Sequence, residues 1–287
     1  MSIQLFASGW RHHTHWLAHG IALAASMVLA SCTTARPSAE AAIVAAWRDG
    51  MATPLAHRID ETLTIEAAYQ IQRRLVRKWR QQPAGFKGGL TSAAAQQRFG
   101  TDTPVAGVLP AAGLKPSGST LSLREFTGLN IETEVAFKLG KPIKRRMRDI
   151  AELQSHIAGI APAVELPRQQ FADLSQVKAV DLVATNVGAA AYVLGSFEPP
   201  ATRDPNTVAT RLVCNERELL VGAGRDALGD QWQAALWLVN RVIDAGWTLQ
   251  RDQILMTGAL GRMVPAQPGE CTASFGDWGT IGITIVP

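Results

Sequence analysis

Between residues 64 and 80 the apolar positions recur at helical intervals. Ile65, Ala68, Tyr69, Ile71, Leu75, Val76 and Trp79 fall on one side, and Arg73, Arg74, Arg77, Lys78 and Arg80 on the other. The spacing predicts an amphipathic helix with Thr64 at its N-cap. A second helical pattern runs from Gln231 to Ala245, where Trp232, Ala235, Leu236, Leu238, Val239 and Val242 make one apolar face, so this helix should pack over a sheet. Shorter helices are predicted over Ala39–Trp47 and, behind a Ser/Thr cap, over Ala93–Phe99. Elsewhere the period shortens to two. Strands are predicted around 131–139, 160–166, 191–194, 209–214, 253–257 and 280–286, with Gly and Pro turns between them, while Pro104–Leu109 and Pro110–Ser119 read as turn-rich connections. The pattern divides the chain into a small N-terminal α/β portion (41–118) and a β-rich portion (119–287).

Composition supports a folded chain: 287 residues, 47% of them hydrophobic, can build a real core. The net charge of +4 is mild, and its one cluster, Lys144-Arg145-Arg146 with Arg148, comes with no nucleic-acid motif, so no nucleic-acid partner is expected. The N-terminus reads differently. Arg11 and a set of histidines precede an apolar run, Ile21–Ala30, too short to span a membrane, and then Leu29-Ala30-Ser31-Cys32. The small residues before Cys32 resemble the lipobox of bacterial lipoproteins. Residues 1–31 would be a signal peptide, Cys32 the lipidated first residue, and 32–40 a tether. The protein would then be exported and held on the periplasmic side of a bacterial membrane; the alternative is a cytoplasmic enzyme with an upstream start codon. Removing 1–31 takes away Arg11 and no acid, so the charge of +4 becomes +3. His12, His13, His15 and His19 leave too, and only His57 and His156 remain for histidine chemistry. Two readings fit Cys214 and Cys271: a disulfide, or two buried thiols.

The chemistry concentrates in Ile131-Glu132-Thr133-Glu134-Val135-Ala136-Phe137. Side chains alternate across a strand, so Glu132 and Glu134 share one face. Held that close, like charges repel, and a hard cation between them relieves the repulsion; all-oxygen ligation suits magnesium, manganese or calcium. Glu165, inside the apolar run 160–166, is the best third ligand, because a carboxylate there is costly to bury without a partner. The same Glu-x-Glu spacing also fits a solvated strand face. Lys87, in Gly85-Phe86-Lys87-Gly88-Gly89 before a helix cap, is a second candidate, either for an anion-binding corner or as an exposed lysine beside a turn.

Taken in order, these segments resemble the fumarylacetoacetate hydrolase superfamily, and within it the branch of 2-keto-4-pentenoate hydratases and 4-oxalocrotonate decarboxylases. The resemblance rests on Ala68-Tyr69-Gln70-Ile71-Gln72, Lys87-Gly88-Gly89-Leu90-Thr91-Ser92, Gly107-Val108-Leu109, the Glu132/Glu134 strand and Pro162-Ala163-Val164-Glu165-Leu166. Asn186, Tyr192-Val193-Leu194-Gly195, Trp237-Leu238-Val239-Asn240, Thr257-Gly258-Ala259-Leu260, Met263-Val264-Pro265 and Pro268-Gly269 continue it. It implies an α+β fold: a mixed β-roll of the fumarylacetoacetate hydrolase C-terminal type with a small N-terminal α/β portion. It also implies Mg2+ (or Mn2+) held by Glu132, Glu134 and Glu165, an active-site lysine at Lys87, and a homo-oligomer.

The activity implied is that of a hydratase or decarboxylase acting on a small 2-oxo-4-enoic acid such as 2-hydroxypenta-2,4-dienoate. Two departures qualify it. An acid is expected directly after the proline that precedes the Gly-x-Leu segment, and here that position is Val105; Asp102, two residues before Pro104, is the substitute candidate for proton transfer, against a plain turn role. Neither His57 nor His156 stands in a motif of the hydrolase branch, which ranks an acylpyruvate-type hydrolase below a lyase. A lipid-anchored, non-catalytic 2-oxo-acid-binding protein is the reading from a different class.

Overall fold

The structure, a computed structural model, describes residues 37–287. The expected signal peptide, Cys32 and most of the tether lie outside the described residues. Ala39 and Glu40, assigned above to the tether range 32–40, belong to the first helix, which Ser38 caps by accepting from the Ala41 N–H. In chain order the elements are α1 (Ala39–Arg48), α2 (Ala56–Ile59), α3 (Ile65–Arg77), β1 (Gly85–Gly89), α4 (Ala93–Arg98), β2 (Val105–Leu109), β3 (Leu114–Lys115), β4 (Ser119–Ser122), β5 (Asn130–Leu139), α5 (Ile150–Gln154) and β6 (Ile157–Leu166). They continue as α6 (Ala179–Ala184), β7 (Ala191–Leu194), β8 (Ala209–Cys214), β9 (Arg217–Ala223), α7 (Gln231–Asp244), β10 (Ile254–Met256), β11 (Leu260–Pro265), β12 (Gly269–Ser274) and β13 (Thr280–Val286). Among the described residues no helix is long and apolar enough to cross a membrane.

Two sheets organise the chain as an α+β fold. One has eight strands in the order β2-β1-β10-β5-β6-β7-β3, with β11 added beside β5; the other has five in the order β4-β13-β12-β8-β9. The strands β1 and β2, on the N-terminal side of the expected boundary at 118/119, belong to the same sheet as β5 and β6, so that boundary does not separate two sheets. Residues 105–109, expected as a turn, form a fully buried strand. Burial on both faces removes the polar alternation that marks a half-exposed strand, and this explains the misreading.

β2 is an edge strand whose outward backbone groups are covered by side chains. Tyr69 Oη accepts from the Ala106 N–H, Gln72 Nε2 donates to the Ala106 carbonyl, and Asn186 both accepts from the Val108 N–H and donates to its carbonyl. Three side chains thus stand where another strand would, and the edge is closed. This is why α3 buries Tyr69 and Gln72 among its apolar residues. On the large core face, Phe137 meets Trp232 of α7 at 4.8 Å between ring centroids, and Phe86 meets Trp247 at 6.0 Å. Cys214 and Cys271, directly opposite each other on β8 and β12, form a disulfide.

Candidate metal centre

Register decides what shares a face. Across the eight-stranded sheet Glu132 lies opposite Glu165, Glu134 opposite Ala163, and Lys87 in a row with Met256 and Ala136. With the two-residue alternation of strands, Lys87, Glu132, Glu134 and Glu165 all stand on one face. The same face carries Ala136, Ala163, Tyr192 and Met256, which with Leu109 and Ile254 form a small apolar cluster separate from the main core. Alanines at 136 and 163 keep the floor low beside the acids.

One oxygen from each of Glu132, Glu134 and Glu165 lies within 4.8 Å of the others. Glu134 and Glu165 are fully buried and Glu132 is partly exposed, so the cluster is open on the Glu132 side. Lys87, also buried, sets its Nζ 2.9 Å from Glu165 Oε2. The alignment of this ion pair is not that of a hydrogen bond, and both Glu165 oxygens, like Glu134 Oε1, lack a hydrogen-bond partner. The other Glu134 oxygen accepts from the Gly258 N–H at 2.8 Å.

Three carboxylates against one ammonium leave a formal charge of about −2 in a dry setting. Burial pushes the Glu132 carboxyl up to about 8, Lys87 pulls it back only partly, and Glu165 raises it further. Glu134 is pushed well above the ordinary value by burial and then by Glu165 and Glu132. For Lys87 burial acts downward, but the glutamates outweigh it and the ammonium is held more firmly than in an ordinary lysine. Unpartnered oxygens, an all-carboxylate donor set and a deficit of positive charge fit a hard divalent cation.

The expected site residues separate into two groups. Lys87, Glu132, Glu134 and Glu165 come together. Asp102 does not join them: it lies exposed in the turn before β2 and lines a different cavity with His57, Thr101 and Lys178. Val105 does reach the neighbourhood, on the same face as Lys87 through its pairing with Gly89. A Cβ at Gly89 would lie 3.4 Å from Val105 Cγ2 and 3.9 Å from Lys87 Nζ, so methyl groups occupy the position where an acid is expected. His57 binds Asp181, and His156 bonds locally to Ser155 and the Glu152 carbonyl. Gly258 is the residue whose role went unread. Its φ of 113°, and the 2.4 Å between an added Cβ and Thr91 Oγ1, require glycine where the backbone turns its N–H onto Glu134; the signal was the Thr257-Gly258-Ala259 segment itself.

Residues 74–286 match the family described as fumarylacetoacetate (FAA) hydrolase C-terminal. The chain is 32% identical over 239 residues to the TodF product hydratase of Pseudomonas putida strain F1, covering 78% of this chain and 85% of that protein. It is 30% identical over 239 residues to 2-keto-4-pentenoate hydratase 1 of Dechloromonas aromatica, covering 81% and 90%. Among solved structures, 4-oxalocrotonate decarboxylase from Pseudomonas putida G7, complexed with magnesium and adipate, superposes with a TM-score of 0.81 at 21% identity, covering 86% of this chain and 96% of that one. At that identity the superposition establishes the fold.

Proposed function

The chain belongs to the fumarylacetoacetate hydrolase family, and from that premise we propose that it is a divalent-metal-dependent lyase, a hydratase or decarboxylase, acting on a small 2-oxo-4-enoic acid. The observation that carries this reading is the gathering of three carboxylates, Glu132, Glu134 and Glu165, against one ammonium, with buried oxygens that have no hydrogen-bond partner among the described residues. When bound, magnesium or manganese supplies a chelation point for the carboxylate and 2-oxo oxygens of such an acid and polarises its ketone. The three glutamates would hold the cation; the Gly258 N–H donates to Glu134 and Lys87 pairs with Glu165. Lys87 would supply a positive charge on the same face, against the negative charge that builds on the substrate oxygen, whether water adds to the dienol or carbon dioxide leaves. We assign proton transfer to Lys87 rather than to Asp102, because Lys87 shares the face of the acids and Asp102 does not.

A second reading, a binding protein that kept the metal cage and lost turnover, is favoured by one observation: Val105 stands on the face of Lys87 where an acid is expected. Turnover of 2-hydroxypenta-2,4-dienoate and 4-oxalocrotonate with magnesium separates the two. The lyase reading expects magnesium-dependent turnover of one of them in the wild type and its loss in Glu132→Gln; absence of turnover of both, with calorimetry still showing magnesium-dependent binding of oxalate, supports the binding protein. Acylpyruvates in the same assay test a hydrolase, which is disfavoured because both remaining histidines are engaged away from the acids.

We also propose that the protein is exported and lipid-anchored through Cys32. The Cys214–Cys271 disulfide supports this, since such bonds persist in oxidising compartments. Radiolabelled palmitate should mark the wild type and not Cys32→Ser, and recovery of unlabelled protein from the cytosol refutes the anchor. Homo-oligomerisation, which the family resemblance implies, is read directly from the mass in light scattering.

A further inference from the structure

A cavity of about 600 Å³ opens between the end of α1, the chain around 124–127 and the chain around 185–190; Lys87 and the three glutamates are not among its walls. Trp47, Trp79, Phe126 and Phe171 line it, with Arg168 between them. Arg168 is partly buried, and its guanidinium stands over the Phe126 ring, 5.8 Å from the centroid. Its only side-chain hydrogen bond among the described residues is a long one, from Nε to the Thr127 carbonyl at 3.4 Å. Burial lowers its pKa, and among the described residues it forms no ion pair with a carboxylate. Arg124 and Glu125, both exposed, also line it, and their opposite formal charges leave that of Arg168.

The walls are set without a ligand. Trp47 Nε1 donates to Thr53 Oγ1 at 3.1 Å, and the Thr53 N–H donates to the Gln170 carbonyl at 2.6 Å. The Arg168 N–H donates to the Gly188 carbonyl at 2.8 Å. Behind Arg168 the chain runs through Asn186, Val187 and Gly188 at φ of 60°, 52° and 67°. A β-branched valine in the left-handed region is strained, and strain of this kind gathers at ligand clamps.

We propose that this cavity is a binding site for a small organic carboxylate with a flat apolar body, the Arg168 guanidinium taking the carboxylate and the aromatic walls flanking the body. The site is distinct from the metal centre and does not depend on the lyase reading.

The test titrates benzoate and its neutral isostere benzamide calorimetrically into the full chain, stripped of metal with EDTA and dialysed. Without metal the acid cluster has no cation to chelate a carboxylate, so a failure of the lyase assay leaves this result standing. Benzoate is expected to bind saturably and at least tenfold more tightly than benzamide. Arg168→Gln should weaken benzoate at least tenfold and Arg168→Lys severalfold, with Glu132→Gln unchanged. Absence of saturable binding, equal affinity for benzamide, or full affinity in Arg168→Gln overturns the proposal. If Arg168→Gln does not melt cooperatively, Ala189→Leu fills the cavity from another wall; it should abolish binding, and retained affinity is equally fatal.

Discussion

The two faces of β5 obey different rules. Ile131, Val135 and Phe137 point into the main core, where each is fully buried and Phe137 has an aromatic partner on α7. Glu132, Glu134 and Ala136 point the other way, toward acids, one ammonium and a small apolar floor. Apolar burial stabilises the first face at roughly 25 cal/mol for each Å² removed from water. The second face works against folding, since charges are taken from water without enough partners. One strand therefore lends its stability from one side to hold an unfavourable arrangement on the other.

The sharpest way to break this comparison is to change the acids alone. Glu134→Gln is expected to lower magnesium-dependent turnover by at least about a thousandfold, several kcal/mol of lost transition-state stabilisation. It should leave the metal-free protein as stable as before or more so, because a buried carboxyl that burial and two neighbouring acids disfavour as an anion has gone; a large drop in melting temperature would count against the unfavourable-face account. Phe137→Ala should do the reverse, costing about 3–5 kcal/mol in denaturant unfolding while calorimetry shows unchanged magnesium affinity for the folded protein. On the second sheet, replacing Cys214 and Cys271 together by serine should cost about 2–4 kcal/mol, since the bond closes a separation of 57 residues. Turnover should be unaffected at temperatures where the variant stays folded.

A smaller effect sharpens the contrast through pH. In the metal-free protein the Glu132 carboxyl is pushed up to about 8 and Glu134 is raised as well, so the folded state retains protons that the unfolded chain releases above about 4.5. This contribution to stability is complete below pH 4.5 and is lost as the pH rises through 8. The metal-free melting temperature should accordingly fall from pH 5 to pH 8.5. Saturating magnesium should flatten the slope, and so should Glu134→Gln.

Much of this was legible in the sequence, for physical reasons that differ by residue. Glu132 and Glu134 could be read because strand periodicity fixes their common face, and α3 and α7 because their apolar stripes repeat over three turns or more. The β2 strand was missed because it is apolar on both faces, and β9, β11 and β12 because their short runs carry charges and glycines. Lys87 was ambiguous for a related reason. Nothing local distinguishes an exposed lysine from one drawn inward by Glu165, 78 positions away in sequence and 2.9 Å away in space. Asp102 illustrates the opposite limit: a titratable residue close in sequence to the right segment points to no shared face.

The edge of β5 is shared by two strands, β10 along its second half and β11 along its first, and only residues 257–259 join them. Within that gap the Gly258 N–H is free of the ladder and meets Glu134. The junction therefore works as a fixed-length spacer. A one-residue insertion would turn the faces of β11 over and carry the donor away from the acid, so variation in length here should be tolerated far less than substitution at Ala259.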